Sequence, residues 1–230
     1  MFIQHSVMER PQSVIWRVQQ EYKGRMAIYL GIEREMLSCS DTKDYDYFIA
    51  SVHYFTRPDG SHSGVDAPSD VIQKYVNECC GGDGLKMAEQ YFSLFRDYVI
   101  ESKPAIIGHF DLVRYNNSIL HLYDEESSEY RLMALEALRA MSETNALLEV
   151  NTGGVARGYM TAPYPSAFLL KEWKAWGGEV IINSDCHDSR LLNAGYKQAE
   201  DILLSIGYDH VVRLSPEPEK EMWERVKIRI

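Results

Sequence analysis

Residues 180–189, VIINSDCHDS, begin as an apolar run and end in side chains of types that can bind metals. Apolar runs of this length are typical of buried strands, and Asp185, Cys186 and His187 follow this one directly. Because side chains alternate between the faces of a strand, Asp185 and His187 would point one way and Cys186 the other. The stretch alone leaves two interpretations open: a metal-binding strand end, or polar residues that begin a loop.

Comparable side chains end four other apolar runs of the chain. These runs are MAIYLGIE (26–33) with Glu33, DYFIASVH (46–53) with His53, PAIIGHFD (104–111) with His109, and ALLEVNT (146–152) with Asn151. A sixth strand is predicted at residues 210–214, HVVRL. Near-continuous apolar runs indicate strands that are buried on both faces, as in parallel sheets.

Helical patterns separate most of these strands. In residues 85–103, apolar side chains recur at spacings of three and four, which places them on one face of a helix. Residues 127–145, 165–178 and 195–207 are predicted as further helices, the last two ending near Gly177 and Gly207. Strands that alternate with helices of this length predict βαβ units around a parallel sheet. We expect a single α/β domain over residues 1–230, because α/β barrels of this size form one unit.

Composition limits the classes of partner. The chain has 230 residues and a formal net charge of -10, which argues against nucleic acid or an anionic membrane as the main partner. A small anionic substrate remains compatible, because a bound metal reverses the local field. The sequence shows no secretory signal and no membrane-spanning run, and its four cysteines form no C-x-x-C pair. A reducing, cytoplasmic location is the resulting expectation.

The five polar strand ends predict a metal site. In parallel α/β barrels the carboxyl ends of the strands converge on one face, where active sites lie. A mixture of imidazoles and carboxylates suits Zn²⁺, Mn²⁺ or Fe, and the lack of thiolates favours a catalytic site. A lone histidine at a strand end is more often a hydrogen-bonded loop residue, and Glu33 alone reads as a surface carboxylate. Five such residues at successive strand ends favour the metal site.

These residues also resemble a known family. The segments LGIE, IASVHYF, IIGHFDLV, EVNTGGVARGYMTAPYPS and GGEVIINSDCHDS occur in the order and approximate spacing of the histidinol-phosphatase branch of the PHP (polymerase and histidinol phosphatase) superfamily. The resemblance extends over residues 22–208. It implies a distorted (β/α)7 TIM-like barrel that holds two or three divalent metal ions.

The resemblance also implies roles for individual residues. Glu33 resembles the bridging carboxylate, and His53 and His109 resemble imidazole ligands of one metal. Asp185 and His187 resemble ligands of the other metals and are the implied catalytic residues.

The substrate side of the site is implied by the segment NTGGVARG, residues 151–158. Arg157 resembles the arginine that holds the substrate phosphate, and Asn151 is placed beside it as a substrate-binding residue. Arg157 follows a Gly-rich turn after a strand, where a guanidinium and backbone N–H groups together bind phosphate. The alternative is an ordinary surface arginine.

The first residues depart from the family pattern. Members begin with a strand that carries H-x-H, and the chain contains no H-x-H. Residues 2–5, FIQH, resemble a remnant of the second strand of the barrel, with His5 as a metal ligand beside His187. The expectation is a barrel that lacks its first β-α unit, with strand edges that favour association into a homo-oligomer.

The implied activity is phosphomonoester hydrolysis in histidine biosynthesis, with L-histidinol phosphate as the substrate. A metal-activated water would attack phosphorus, Arg157 would neutralise phosphoryl charge, and Asp185 would assist the leaving alkoxide through water. Two alternatives remain: a related enzyme that acts on another small phosphoester, and a non-catalytic protein that binds metal or phosphate.

Overall fold

The structure, a computed structural model, describes residues 11–217, 219 and 221–228. The strands are β1 (Gly31–Glu35), β2 (Tyr47–Ser51), β3 (Tyr54–Thr56), β4 (His62–Gly64), β5 (Ile106–Ile107), β6 (Leu147–Asn151), β7 (Val180–Asn183), β8 (His210–Leu214) and β9 (Trp223–Lys227). The α-helices are α1 (Pro11–Glu21), α2 (Ser69–Cys79), α3 (Gly84–Ser102), α4 (Arg114–Leu120), α5 (Ser128–Met141), α6 (Gly153–Ala156), α7 (Ala167–Ala175) and α8 (Tyr196–Ile206). His5, the metal ligand expected near the start of the chain, lies outside the described residues.

The central sheet has the strand order β1-β2-β5-β6-β7-β8-β9. Every neighbouring pair from β1 to β8 is parallel, and β9 joins β8 in the antiparallel direction. Each of the six predicted strands overlaps a strand of this sheet, so the parallel α/β prediction is confirmed. The parallel strands place their carboxyl ends along one edge of the sheet, as the candidate site requires.

The sheet curves so that its two ends come together. The rings of Tyr47 on β2 and Trp223 on β9 are 5.5 Å apart between centroids, at an angle of 70°. Beside them, the hydroxyl of Tyr29 donates a hydrogen bond of 2.8 Å to the carbonyl of Ser215. This curvature of a mostly parallel sheet agrees with the predicted TIM-like barrel.

Helices cover the outside of the curved sheet with large apolar side chains. Phe92 and Phe95 on α3 are almost fully buried, and the Phe92 ring packs edge-on against Tyr130 of α5 at 5.7 Å. Ser127 caps α5 by accepting a hydrogen bond from the backbone N–H of Tyr130. Among the described residues, no helix has the length and apolar character needed to cross a bilayer.

A small hairpin, β3–β4, leaves the sheet directly after β2. Tyr54 pairs with Gly64, and the backbone N–H of Val65 donates to the carbonyl of His53 at 2.7 Å. The hairpin therefore returns to the carboxyl end of β2 and forms one wall above the edge where the polar strand ends lie. This wall contributes to the pocket described next.

Candidate metal centre and substrate pocket

Three side chains from adjacent strands meet at the carboxyl edge of the sheet. Glu33 lies on β1, His53 follows β2, and His109 follows β5. The Nε2 atoms of the two histidines are 3.1 Å apart, and Oε1 of Glu33 lies 3.4 Å from His53 Nε2 and 3.2 Å from His109 Nε2. The predicted convergence of these strand ends is thus present in the structure.

The spacing and chemistry of these donors fit a divalent metal ion. Four ligands at about 2.0–2.1 Å from a tetrahedral zinc ion are about 3.3 Å from one another. The three distances among Glu33, His53 and His109 are 3.1, 3.4 and 3.2 Å. Two imidazoles and one carboxylate are borderline and hard ligands that suit Zn²⁺, Mn²⁺ or Fe²⁺. The cluster is open to the pocket, since Glu33 keeps 42% of its side chain exposed.

Glu35 orients the imidazole of His53. Its Oε2 lies 2.9 Å from Nδ1 of His53 and accepts the backbone N–H of the same residue at 2.7 Å. An Nδ1–H that donates to this carboxylate leaves the Nε2 lone pair facing Glu33 and His109, as metal-ligating histidines require. Glu35 is two residues beyond Glu33 on β1, so both carboxylates share one face of the strand.

Electrostatics couple Glu33 to His109 strongly. The hydrogen bond from His109 outweighs burial and lowers the pKa of Glu33 to about 2. Burial opposes protonation of His109, but the hydrogen bond with Glu33 and the charge of Glu149 prevail and raise the pKa of His109 to about 9. The cluster is therefore strongly attractive to positive charge.

Glu149 lies beneath this cluster and is only 3% exposed. Its Oε2 accepts the backbone N–H of His109 at 2.7 Å and the Nδ2 of Asn151 at 3.1 Å. Its Oε1 accepts the Nδ2 of Asn183 at 2.7 Å. One buried carboxylate on β6 thus connects the ends of β5, β6 and β7, and it places negative charge close to the His109 imidazole.

Asp185, Arg157 and His187 form a second polar group in the same pocket. Arg157 donates through Nη1 to the carbonyl of Asp185 at 2.8 Å and through Nη2 to its Oδ2 at 3.0 Å. Nε2 of His187 lies 3.3 Å from Oδ1 of Asp185, and the His187 side chain is 76% exposed. Gly153 makes this approach possible, because a Cβ there would lie 2.8 Å from Asp185 Oδ2 and 2.9 Å from Arg157 Nη2.

The backbone at Asp185 differs from the extended strand that the sequence predicts. Strand β7 ends at Asn183, and Asp185 has a φ of 45°, in the left-handed region. Strand alternation therefore does not set the directions of Asp185 and His187. Both side chains still line the pocket, and Cys186 does not; its Sγ contacts the carbonyl of Asp188 at 2.7 Å.

A cavity of about 550 Å³ joins the two polar groups. Its lining contains Glu33, His53, Tyr54, Asp66, His109, Leu112, Tyr115, Gly154, Arg157, Tyr159, Tyr164, Asp185 and His187. A volume of this size suits a small organic ligand. All the predicted metal ligands within the described residues, together with Arg157, belong to this lining, and His5 is not described.

Asn151 is placed differently from the other predicted site residues. It is 2% exposed, its Oδ1 accepts the N–H of Gly153 at 2.9 Å, and its Nδ2 donates to Glu149. Its side chain is absent from the lining of the cavity. Asn151 holds the Gly-rich turn in place, and its predicted contact with substrate stays a prediction.

Several residues of the site were not predicted from the sequence. Glu35 carries a recognisable signal, because it follows Glu33 at the two-residue period of a strand. Glu149 carries a comparable signal as a charged residue within the apolar run 146–152. Tyr54 begins β3, Asp66 follows β4 and Tyr115 lies on α4, and only the folded chain brings them to one pocket.

The fold and the site together define an α/β protein with a cluster of residues able to hold a divalent metal ion at the carboxyl edge of a curved parallel sheet. Comparison with known families gives the more specific assignment: residues 13–153 match the PHP domain. The chain belongs to the PHP domain family, as the sequence motifs predict, and its fold is the TIM-like fold of that family.

Two curated relatives of the chain are both named as histidinol-phosphatases. The chain is 24% identical over 214 residues to a protein of Schizosaccharomyces pombe that is named a probable histidinol-phosphatase, with 88% of this chain and 67% of the relative covered. It is 26% identical over 205 residues to the histidinol-phosphatase of Bacillus subtilis, with 83% of this chain and 74% of the relative covered.

A solved structure supports the same fold. The histidinol phosphate phosphatase of Lactococcus lactis, in complex with zinc, L-histidinol and phosphate, superposes with a TM-score of 0.57 at 19% identity. The match covers 89% of this chain and 76% of the other. At this identity the match establishes the fold.

Proposed function

We propose that the chain is a metal-dependent phosphomonoesterase that hydrolyses L-histidinol phosphate to L-histidinol and phosphate. The observation that carries the proposal is the Glu33–His53–His109 cluster, which lies in one cavity with Arg157. The names of the relatives in Schizosaccharomyces pombe and Bacillus subtilis supply the substrate. Zinc, manganese and iron all suit the ligand set, and the Lactococcus lactis structure favours zinc.

The proposal assigns the metal shell to both polar groups of the pocket. Glu33, His53 and His109 hold one cation, and Asp185 and His187 contribute to a neighbouring position. His5 is proposed to complete the shell beside His187. A bound divalent cation supplies positive charge to the phosphoryl oxygens and a nucleophilic water at neutral pH.

The side chains around the metals have separate tasks in this proposal. Arg157 binds the phosphate, because its guanidinium is half-buried and is held in place through two hydrogen bonds to Asp185. Asp185 assists the leaving alkoxide through a water molecule: it accepts the proton that the attacking water gives up and returns it to the alkoxide oxygen when the P–O bond breaks. His187 lies beside Asp185 and remains accessible to solvent and substrate.

The test combines metal analysis with a direct assay. The purified protein should contain about one divalent cation or more per chain, and it should release phosphate from L-histidinol phosphate. Chelation should abolish turnover, and added Zn²⁺ or Mn²⁺ should restore it. As a control, Glu89→Gln removes one carboxylate from the exposed surface of α3, and it should equal the wild type in metal content and turnover.

Two results would contradict the proposal in different ways. A protein that binds metal but releases no phosphate from any phosphomonoester would be the non-catalytic alternative. Turnover of another small phosphoester, with L-histidinol phosphate untouched, would keep the metallophosphatase and reject the substrate.

A further inference from the structure

The pocket also has an aromatic wall, which differs from the metal centre because three of its four residues are tyrosines. Tyr54, Asp66, Tyr115 and Tyr159 line it, and none of them belongs to the two polar groups described above. Tyr54 and Tyr159 are 45% and 53% exposed, and the Arg157 guanidinium lies 5.9 Å from the centroid of the Tyr159 ring. The Tyr115 and Tyr159 rings contact each other edge-on at 5.5 Å. This aromatic wall is available to a ligand.

Asp66 is the charged residue of the aromatic wall, and its carboxylate is unpaired among the described residues. The other carboxylates of the cavity have partners: Glu33 contacts two histidines, and Asp185 contacts Arg157 and His187. Asp66 has no hydrogen bond or ion pair with any of the described residues.

The backbone around Asp66 is held firmly although its carboxylate is free. Asn116, which is fully buried on α4, donates through Nδ2 to the carbonyls of Val65 at 3.2 Å and Ala67 at 2.9 Å. The hydroxyl of Ser69 donates to Oδ1 of Asn116 at 3.1 Å. The residues on both sides of Asp66 are thus fixed to the helix that follows His109, which sets the position of the Asp66 backbone while its exposed side chain stays accessible to a ligand.

We propose that Asp66 and the aromatic wall bind the cationic organic half of the substrate and select amino-alcohol phosphates over neutral phosphate esters. This inference rests on the proposed phosphatase function. Phosphate bound at the metals and Arg157 directs the rest of the ester toward the aromatic wall. A free carboxylate there pairs with an ammonium group, and tyrosine faces pack against a flat or cationic ring such as imidazole or imidazolium.

The test compares two substrates that share the phosphate and differ in the organic half. L-histidinol phosphate carries an ammonium group, and 4-nitrophenyl phosphate carries no cation. In Asp66→Asn, kcat/KM for L-histidinol phosphate should fall at least tenfold, while kcat/KM for 4-nitrophenyl phosphate should stay within twofold of wild type. Asp66→Glu should recover part of the loss, and Asp44→Asn, which removes an exposed carboxylate outside the cavity, should change neither value.

Calorimetric titration with L-histidinol separates this inference from the proposed function. Wild type should bind the amino alcohol at least tenfold more tightly than Asp66→Asn, whether or not the protein cleaves the phosphate ester. Equal binding by the two proteins, or an equal loss of kcat/KM for both esters, would overturn the role of Asp66. Wild type that binds L-histidinol through Asp66 but cleaves neither ester would reject the proposed function alone.

Discussion

The carboxylate of Glu35 holds His53 through two contacts, 2.9 Å to its ring Nδ1 and 2.7 Å to its backbone N–H. This pair connects two strands of the sheet and decides which ring nitrogen of His53 faces the metal centre. Ligand orientation by such a carboxylate typically accounts for a 10–100-fold difference in metal affinity.

Glu35→Gln should therefore weaken zinc binding by about tenfold or more, because an amide is a poorer partner for the Nδ1–H than a carboxylate. Competition with a chromophoric chelator measures the affinity. Glu89→Gln, on the exposed surface of α3, serves as the control and should bind zinc like wild type. Unchanged affinity in Glu35→Gln would remove Glu35 from the metal centre.

Glu149→Gln should destabilise the fold and also weaken metal binding. The amide would turn one acceptor into a donor that faces an N–H of His109, Asn151 or Asn183, and this leaves a buried polar group unpaired. The expected loss is about 1–3 kcal/mol in the free energy of unfolding. Urea denaturation measures it against Glu136→Gln, a surface substitution on α5. A loss equal to that of the control would show that the three strand ends do not depend on Glu149.

Ser166→Ala should loosen the segment that carries Tyr164 into the pocket. Oδ2 of the fully buried Asp111 accepts the backbone N–H of Ser166 at 2.8 Å and its hydroxyl at 2.5 Å. Loss of the hydroxyl removes a hydrogen bond to a charged group, for which about 1.5–3 kcal/mol is typical. Thermal or urea unfolding gives the value, and Ser205→Ala on α8, whose hydroxyl donates to the nearby carbonyl of Ile202, should change little.

Arg157→Lys should raise KM for a phosphate ester by about tenfold or more. A lysine keeps the charge but cannot reproduce the two hydrogen bonds to Asp185 while it also contacts phosphate. Steady-state kinetics with L-histidinol phosphate and inhibition by inorganic phosphate should both report the weaker binding. Kinetics and inhibition equal to wild type would place Arg157 outside the phosphate site.

The strand ends were predictable because the apolar runs that precede them are buried on both faces. Glu33, His53 and His109 each lie at or just after such a run, and parallel pairing brings their ends to one edge. No property of the local sequence other than this repetition distinguishes them from surface residues. The repetition was sufficient to predict the cluster.

Other parts of the site depend on contacts that local patterns do not encode. The left-handed backbone at Asp185 ends the strand alternation there, and the position of the Asp185 side chain is set instead by Arg157 and the close approach of Gly153. Asp66 reaches the pocket because Asn116, fifty residues further along the chain, holds its neighbours. Such long-range hydrogen bonds leave no periodic signal in the sequence.

The central claim is that Glu33, His53 and His109 hold a divalent cation on which hydrolysis depends. Calorimetric zinc titration of the metal-free wild type and of His109→Ala tests it most directly, with circular dichroism to establish that both are folded. We predict that His109→Ala loses zinc affinity by at least a hundredfold and loses turnover of L-histidinol phosphate. A folded His109→Ala protein that binds zinc as tightly as wild type and turns over the substrate would contradict the account.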